Sequence, residues 1–150
     1  VAGGTTRFHS VQHGLDAIAD EQAIVAVHDG VRALVTVDCI QRVVSAAIEK
    51  GNAIPVVPVV DSLRLLAGDT NTSFERKNVV AVQTPQCFHV KQLKEAFHQP
   101  WQEHFTDEAT VLQSIGVAIH LVEGEAENIK ITRPVDLAIV EHVLKQRKQT

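Results

Sequence analysis

The chain has 150 residues, of which 45% are hydrophobic and 21% are charged, and its formal net charge is −4. That length and apolar content predict one globular domain with a core of its own. The acidic balance argues against a nucleic-acid partner, because nucleic-acid-binding domains usually carry a basic stripe. No apolar run reaches the length of a membrane span, so we expect no membrane partner.

The two cysteines and the start of the chain carry further expectations. Cys39 and Cys87 have neither metal-ligand spacing nor a disulfide framework, which is typical of reduced thiols in a cytoplasmic protein. The chain contains no methionine and begins Val1-Ala2-Gly3-Gly4, a pattern typical of a strand that runs into a loop. We therefore expect coding sequence upstream of Val1.

Segments of strand character alternate with segments of helical periodicity along the chain. The predicted helices cover residues 7–19, 36–50 with Thr36 as the cap, 90–99, 107–115 and a last stretch that Pro134 opens. The predicted strands cover residues 23–27, 53–60, 117–122 and 128–132. This alternation predicts an α/β fold with a Rossmann-like, doubly wound and mostly parallel sheet that is covered on both faces.

Two segments depart from this alternation. Pro55 and Pro58 lie within strand 53–60, and proline favours an edge or an irregular segment over a central strand. Farther on, the strand-like runs 62–66 and 79–83 flank a polar stretch, which predicts an inserted hairpin arm. An isolated hairpin is marginally stable in water, so we expect this arm to pack on another surface, such as a second subunit.

Ligands of open α/β sheets bind beyond the carboxyl ends of the strands. The residues that this rule selects are Asp29, Asp61, Gln83, Thr84, Lys130 and Thr132. Asp29 ends an apolar strand beside Gly30 and Arg32, so its carboxylate suits a nucleotide ribose or a Mg²⁺-bound phosphate. An aspartate that only caps a turn explains the same position equally well.

Cations and hydroxyl groups near predicted strand ends or in the arm suit phosphate binding. Arg32, Arg76 and Lys130 are the candidate cations, since arginine binds phosphate as a planar fork and lysine as a point charge. Thr84 and Thr106 offer hydroxyl groups at loop positions, and Thr106 is also a candidate helix cap. The sequence contains no nucleophilic triad and no histidine–cysteine metal cluster, which leaves phosphoryl or nucleotidyl transfer by positioning and electrostatics.

Four short motifs, in this order, resemble those of the 2-C-methyl-D-erythritol 4-phosphate cytidylyltransferase family. They are Val27-His28-Asp29-Gly30-Val31-Arg32, Thr84-Pro85-Gln86, Thr106-Asp107-Glu108-Ala109 and Asn128-Ile129-Lys130-Ile131-Thr132. Further matches are Gly3-Gly4 through Arg7 to Ser10-Val11, Asp61-Ser62 and Glu75-Arg76. The resemblance covers essentially the whole chain.

The resemblance implies a nucleotidyltransferase type of fold and the transfer of CMP from CTP to 2-C-methyl-D-erythritol 4-phosphate, with release of pyrophosphate. The reaction belongs to the non-mevalonate route to isoprenoid precursors, in the bacterial cytoplasm or the plastid stroma. The resemblance also implies a divalent cation, usually Mg²⁺. It further implies a homodimer in which the arm, at about residues 62–83, reaches into the partner's site.

The family's functional residues match particular positions of this chain. The implied catalytic residues are Lys130, Asp29 and Arg32. The implied substrate-binding residues are Thr84, Thr106, Ser62 and Arg76. The implied nucleotide-binding residues are Gly4, Ser10 and Asp29, and Asp29 is the single candidate metal ligand.

The chain also departs from the family pattern. Ala33 stands where the family has proline, Ser62 replaces threonine, and Glu75 replaces aspartate. The family's first strand and its glycine-rich triphosphate loop have no counterpart in the chain, so we expect residues 1–150 alone to be inactive. Two alternatives remain open: a ribitol 5-phosphate cytidylyltransferase, and a non-catalytic binding domain of the same fold.

Overall fold

A computed structural model describes residues 1–148 of the chain. The helices in this part are α1 (Arg7–Asp16), α2 (Val37–Lys50), α3 (Val90–Phe97), α4 (Glu108–Ser114) and α5 (Pro134–Arg147). The strands are β1 (Ile24–Val27), β2 (Asn52–Pro58), β3 (Leu63–Ala67), β4 (Thr70–Phe74), β5 (Val80–Val82), β6 (Gln86–His89) and β7 (Leu121–Glu123). None of these helices has the length and apolar content needed to cross a lipid bilayer.

Five of the strands form one mixed sheet. β6 lies between β1 and β2 and pairs antiparallel with both. β5 also pairs antiparallel with β2, and β7 pairs parallel with β2. β1, β2 and β7 therefore run in one direction and β5 and β6 in the other, which confirms the predicted α/β class with a majority of strands sharing one direction. The alternating pattern does not indicate that β6 runs antiparallel between β1 and β2, or that β5 runs antiparallel to β2.

Helices cover both faces of this sheet, as the doubly wound prediction requires. On one face Phe88 of β6 and Ile54 of β2 pack into a core with apolar residues of α1, α3 and α4. On the other face their neighbours Cys87 and Ala53 pack against Val43 of α2. Side chains alternate between the two faces of a strand, so the burial of both members of each pair confirms a sheet covered on both sides.

Of the two alternatives predicted from Pro55 and Pro58, the edge strand is wrong, because β2 is paired on both sides, whereas an irregular segment fits the break in its ladder at Pro55. The ladder between β2 and its antiparallel neighbour breaks where residues 83–86 lie opposite residues 54 and 55. Pro55 sits at that break, where its carbonyl accepts a hydrogen bond from the Gln83 N–H at 2.8 Å. The missing N–H of Pro55 therefore costs the ladder little, and Pro58 is the last residue of the strand.

The inserted segment is a hairpin, but its return strand differs from the predicted one. β3 pairs antiparallel with β4, so much of the stretch predicted as a polar loop is strand. Residues 80–82, predicted as the return strand, form β5 of the main sheet instead. Every residue of β4 is exposed, so no burial pattern marks this strand, and the β-propensity of its two threonines is the main signal that remains.

The predicted boundaries of α2 are confirmed, whereas two strand predictions are not. Thr36 caps α2, and Gly51 ends it in the left-handed conformation with a φ of 93°. The predicted strand 117–122 is a strand only over Leu121–Glu123, and residues 128–132 form a loop outside the sheets. A hydrogen bond of 2.9 Å from the Ile131 N–H to the Val31 carbonyl holds this loop beside the end of β1.

Candidate functional site

A polar pocket of about 220 Å³ lies where β1 ends, where β5 passes into β6, and where α1 and α4 begin. Its lining residues are Arg7, Asp29, Arg32, Val82, Gln83, Thr84, Gln86, Thr106, Asp107 and Lys130. Six residues predicted from the sequence meet here: Asp29, Arg32, Gln83, Thr84, Thr106 and Lys130. The rule that ligands bind beyond strand ends therefore leads to this pocket.

Asp29 is the centre of the charge arrangement in the pocket. Its Oδ2 atom lies 3.2 Å from Lys130 Nζ and 3.4 Å from Arg32 Nε. Burial alone would raise the pKa of the Asp29 carboxyl. The hydrogen bond and charge of Lys130, with the charges of Arg32 and Arg7, outweigh burial and hold that pKa below its usual value. The carboxylate is therefore ionised at neutral pH and holds the cations around it.

A chain of hydrogen bonds fixes the backbone at Asp29. The Asp29 N–H donates to Thr84 Oγ1 at 3.0 Å, and Thr84 Oγ1 lies 2.9 Å from His28 Nδ1. His28 Nε2 lies 3.1 Å from the Arg32 carbonyl oxygen, which can only accept, so Nε2 carries the proton. In the neutral ring Nδ1 is then an acceptor, and the Thr84 hydroxyl donates to it. Thr84 therefore links the segment between β5 and β6 to the end of β1.

Arg32 and Lys130 differ in how freely they can meet a ligand. The Arg32 side chain is 12% exposed. It donates to the Asn128 carbonyl at 2.7 Å and to the Val82 carbonyl at 3.4 Å. The Lys130 side chain is 49% exposed. Arg32 thus braces the loop that carries Lys130, and Lys130 is the more accessible cation.

The loop around Lys130 keeps the alternation visible in the sequence, although it is not a strand. Ile129 and Ile131 pack against a small core formed by Leu34 and buried residues of α5. Lys130, between them, lies in the wall of the pocket. The packing of its two neighbours therefore holds the Lys130 backbone in place.

Sequence reasoning missed an ion pair that joins the start of α1 to the start of α4. Arg7 Nη1 donates to Glu108 Oε1 at 2.5 Å, and Arg7 Nη2 donates to Glu108 Oε2 at 2.7 Å. Glu108 is fully buried, while Arg7 reaches the pocket. A buried carboxylate needs a charged or hydrogen-bonding partner. The sequence signal for this pair was Glu108 itself, an acid next to the apolar positions of a predicted helix.

Asp107, rather than Thr106, is the N-cap of α4. Asp107 Oδ1 accepts a hydrogen bond from the Thr110 N–H at 2.9 Å, and its Oδ2 accepts one from Gln86 Nε2 at 2.9 Å. The interpretation of Thr106 as a cap is therefore wrong. Its exposed side chain instead forms part of the pocket wall.

Gly4 and Ser10 lie outside the wall of this pocket. The Ser10 hydroxyl accepts a hydrogen bond from the Gly4 N–H at 2.9 Å and donates to the Thr6 carbonyl at 3.0 Å. A Cβ atom on Gly4 would lie 2.4 Å from His9 Cβ, so this close approach requires glycine. Gly4 lines a separate shallow cavity with His9 and His13, and the nucleotide-binding role of Gly4 and Ser10 stays a prediction.

Four other residues selected from the sequence also lie outside the pocket. Ser62 and Arg76 are exposed at the base of the arm, where Arg76 donates to a backbone carbonyl. Asp61 is exposed before the arm, and Thr132 hydrogen-bonds a carboxylate of α5. Asp61 and Thr132 therefore do not join the cluster of strand-end residues, and the roles of Ser62 and Arg76 stay predictions.

Asp29 is the pocket side chain best suited to a divalent cation. Within residues 1–148, no group of three or more His, Cys, Asp or Glu side chains could hold a metal ion. Both carboxylate oxygens of Asp107 are already hydrogen-bonded. Mg²⁺ at nucleotide sites is usually held by one or two carboxylates together with substrate phosphates and water. The single Asp29 carboxylate meets that requirement.

The lowered pKa of Asp29 predicts a pH-dependent contribution to stability. A carboxyl whose pKa is lower in the folded state contributes stability above its unfolded pKa and loses it as the pH falls through the folded pKa. We expect Asp29→Asn to be less stable than the wild type at pH 7, with a gap that closes below about pH 4. Urea unfolding at pH 7 and pH 3 measures the gap, with Asp69→Asn at the exposed hairpin turn as control. A gap that stays constant or widens at pH 3 would contradict the proposed interaction.

The fold and the pocket together define a class of protein. Three of the five sheet strands run in one direction, helices cover both faces, and the pocket beyond the strand ends is lined by three cations, Arg7, Arg32 and Lys130, and two aspartates. Such a site suits a ligand that carries phosphate groups, because arginine and lysine recognise phosphate oxygens. The molecule is thus an α/β protein of the nucleotidyltransferase fold type with a cationic pocket.

Comparison with known proteins identifies the family. The family model for IspD, 2-C-methyl-D-erythritol 4-phosphate cytidylyltransferase, matches residues 1–146. The chain belongs to this family.

Individual relatives agree with that assignment. The 2-C-methyl-D-erythritol 4-phosphate cytidylyltransferase of Bacteroides thetaiotaomicron is 47% identical over 137 residues, which cover 91% of this chain and 62% of the relative. The enzyme of the same name from Porphyromonas gingivalis is 44% identical over 145 residues, which cover 96% of this chain and 65% of the relative. The chain thus spans less than two thirds of the length of these curated relatives.

Solved structures of the family share the fold. The crystal structure of 2-C-methyl-D-erythritol 4-phosphate cytidylyltransferase from Thermus thermophilus has a TM-score of 0.84 and 36% identity, and the match covers 97% of this chain and 72% of that one. The Francisella tularensis structure has a TM-score of 0.83 and 30% identity, with coverage of 93% and 69%. The sequence resemblance to this family is therefore confirmed.

Proposed function

We propose that the protein transfers CMP from CTP to 2-C-methyl-D-erythritol 4-phosphate and releases pyrophosphate, in the non-mevalonate route to isoprenoid precursors. The observation that carries this proposal is the meeting of Asp29, Arg32 and Lys130 in one pocket at the strand ends. Family membership supports CTP as the nucleotide and 2-C-methyl-D-erythritol 4-phosphate as the acceptor. The bacterial relatives and the buried free thiols of Cys39 and Cys87 support a cytoplasmic location.

The proposed reaction depends on alignment and charge neutralisation. An ionised oxygen of the acceptor phosphate attacks the α-phosphorus of CTP and forms a new P–O bond. The bond from the α-phosphorus to the oxygen bridging to the β-phosphate breaks, and pyrophosphate leaves with that electron pair. Since the acceptor phosphate is already ionised at neutral pH, no strong general base is needed. The protein has to hold the two phosphates in line and stabilise their charge.

Lys130 is the residue proposed to stabilise the reacting phosphates. Its ammonium group is half-exposed in the pocket, and its contact with Asp29 directs it. Fixed charges aimed at developing negative charge are an effective form of catalysis, because they need no reorganisation during the reaction. Asp29 and Arg32 are proposed to lie between the nucleotide and the polyol, with Asp29 also in reach of the ribose.

The hydroxyl-bearing residues are proposed to act in different ways. Thr106 is exposed in the pocket wall, which supports direct contact with the polyol phosphate. The Thr84 hydroxyl is already bonded to the Asp29 N–H and to His28, which supports a positioning role. Gly4 and Ser10 are proposed to hold the cytosine nucleotide, since a 2.9 Å hydrogen bond from the Gly4 N–H to the Ser10 hydroxyl keeps them together beside the cavity that Gly4 lines.

A divalent cation, usually Mg²⁺, is proposed to accompany CTP. Bound with the nucleotide, the ion neutralises phosphate charge. The Asp29 carboxylate is the protein group proposed to help hold it, since the described residues offer no larger carboxylate cluster near the pocket. Lys130 and Arg32 would then share the remaining phosphate charge.

A homodimer formed through the arm is also proposed. Between residues 1 and 148, the arm strands β3 and β4 pair only with each other. Leu65, Leu66 and Phe74 of this hairpin are exposed, and a two-stranded hairpin with exposed apolar residues requires a partner surface. In such a dimer Ser62 and Arg76 would reach the partner's site, which fits their position outside the pocket of their own chain.

A comparison of two acceptors tests the proposed substrate against ribitol 5-phosphate. The complete polypeptide that carries residues 1–150 is incubated with CTP, Mg²⁺ and either 2-C-methyl-D-erythritol 4-phosphate or ribitol 5-phosphate, and pyrophosphate release is followed. We expect the higher kcat/KM with the methylerythritol substrate. Faster turnover of ribitol 5-phosphate would replace the proposed acceptor, and binding of CTP without turnover of either acceptor would favour a non-catalytic binding domain.

A further inference from the structure

The side chain of Arg7 is held in one position at the edge of the pocket. Both terminal nitrogens of its guanidinium group donate to Glu108, at 2.5 and 2.7 Å. Glu108 is 0% exposed, whereas Arg7 is 40% exposed. The neighbouring Phe8 ring stacks on Phe97 with a centroid distance of 4.4 Å, so the backbone that carries Arg7 is anchored too. Glu108 therefore fixes the guanidinium group of Arg7, and the packing of Phe8 fixes its backbone.

Arg7 keeps donors for a second partner. A guanidinium group has five N–H donors in a planar fork, and Glu108 takes two of them. Arg7 lines the same pocket as Asp29 and Lys130, and its charge already acts on the Asp29 carboxyl. A fixed arginine with free donors in a cationic pocket is suited to a phosphate group, because its fork matches two phosphate oxygens.

We propose that Arg7 is a further substrate-binding residue, which binds the phosphate group of the acceptor, and that Glu108 is the residue that positions it. Arg7 shares the pocket wall with Thr106, the residue proposed to contact the polyol phosphate, and this favours the acceptor over the nucleotide. The identity of the acceptor rests on the proposed function. The binding of a phosphate group by Arg7 is independent of that proposal.

Glu108 explains why the position of Arg7 is specific. An ionised carboxylate buried without a partner is strongly unfavourable, so Glu108 requires Arg7 in the observed conformation. The same pair links the first turn of α1 to the first turn of α4, next to Thr106. Changing Glu108 should therefore weaken phosphate binding through Arg7, although Glu108 itself does not touch the ligand.

The test uses variants of the complete polypeptide that leave no buried charge unpaired. In Arg7→Gln/Glu108→Gln two amides replace the ion pair, and Arg7→Lys keeps the charge but loses the fork. The matched control is Arg147→Gln/Glu127→Gln, which removes a 2.8 Å surface ion pair outside the pocket. Steady-state kinetics with CTP and 2-C-methyl-D-erythritol 4-phosphate, and binding of inorganic phosphate by calorimetry, are measured for each protein.

We expect the acceptor KM of the double variant to rise roughly 10- to 100-fold, the difference that one or two charge-assisted hydrogen bonds make. The KM for CTP should stay unchanged, Arg7→Lys should give an intermediate acceptor KM, and the control should match the wild type. Inorganic phosphate should bind the double variant more weakly by a similar factor. Loss of phosphate affinity in a protein that fails to turn over the acceptor would support Arg7 and refute the proposed function instead.

Three results would overturn the assignment of Arg7. The first is an acceptor KM and a phosphate affinity that both equal those of the wild type in a folded double variant. The second is a rise in KM confined to CTP, which would place the nucleotide's phosphates, and not the acceptor's, at Arg7. The third is a fall in kcat alone, with both KM values unchanged, which would contradict a binding role.

Discussion

Replacing Lys130 with methionine should lower kcat by about 10²- to 10³-fold in the complete polypeptide, the usual cost of removing one fixed donor to a transition state. Methionine keeps the length and apolar stem of the side chain but removes the ammonium group 3.2 Å from Asp29. Lys130 is half-exposed and its loop is held by Ile129 and Ile131, so the fold should survive the change. Circular dichroism and steady-state kinetics measure the two effects.

The fall in kcat should depend on the position of Lys130 in the pocket and not only on the removal of a positive charge. Lys50→Met at the exposed end of α2 removes the same charge outside the pocket and serves as the control. Its activity should stay within about twofold of the wild type, as for most surface substitutions. A Lys130→Met enzyme as active as the control would remove Lys130 from the proposed mechanism.

Placing charges on the arm should separate the proposed dimer. Leu66 is 76% exposed and Leu65 is 56% exposed on the hairpin, which lies outside the main sheet. Burying each leucine in an interface is worth about 1.5–3 kcal/mol. Losing both contacts in Leu65→Asp/Leu66→Asp, and burying carboxylates in their place, should weaken association by at least about 100-fold. The wild type should sediment as a dimer at micromolar concentration, and the variant as a folded monomer.

The arm variant is also expected to change activity, and a substitution elsewhere on the surface serves as its control. The monomeric variant should lose turnover, since Ser62 and Arg76 are proposed to act in the partner's site. Val37→Asp, at an exposed apolar position in the first turn of α2, should remain dimeric and active, because an acid there suits the helix dipole. A wild type that sediments as a monomer, or an arm variant that stays dimeric and active, would contradict the proposed interface.

Local patterns predicted much of the site because its residues follow strand ends and alternating apolar positions. Asp29 follows a short apolar run, and Lys130 stands between two isoleucines that pack inward. Lys130 lies in the pocket wall between two inward-packing isoleucines even though residues 128–132 are not a strand. Side-chain alternation depends on an extended backbone and not on a partner strand, so the pattern was informative without the predicted pairing.

Features that depend on distant parts of the chain could not be predicted in this way. Arg7 and Glu108 are separated by 101 positions in the sequence, and neither residue alone indicates the other. The antiparallel course of β6 arises from pairing with both β1 and β2, which no local periodicity encodes. β4 was missed because all of its residues are exposed, which removes the burial pattern on which strand prediction depends.

Phosphorus NMR of the reaction mixture tests the proposed activity most directly. The complete polypeptide is incubated with CTP, 2-C-methyl-D-erythritol 4-phosphate and Mg²⁺, and the ³¹P spectrum is followed over time. The account predicts that the resonances of CTP and the acceptor monophosphate decline together, while a new diphosphate diester and inorganic pyrophosphate appear in equal amounts. An acceptor signal that stays unchanged, whether CTP remains intact or is hydrolysed to CMP, would contradict cytidylyl transfer by this protein.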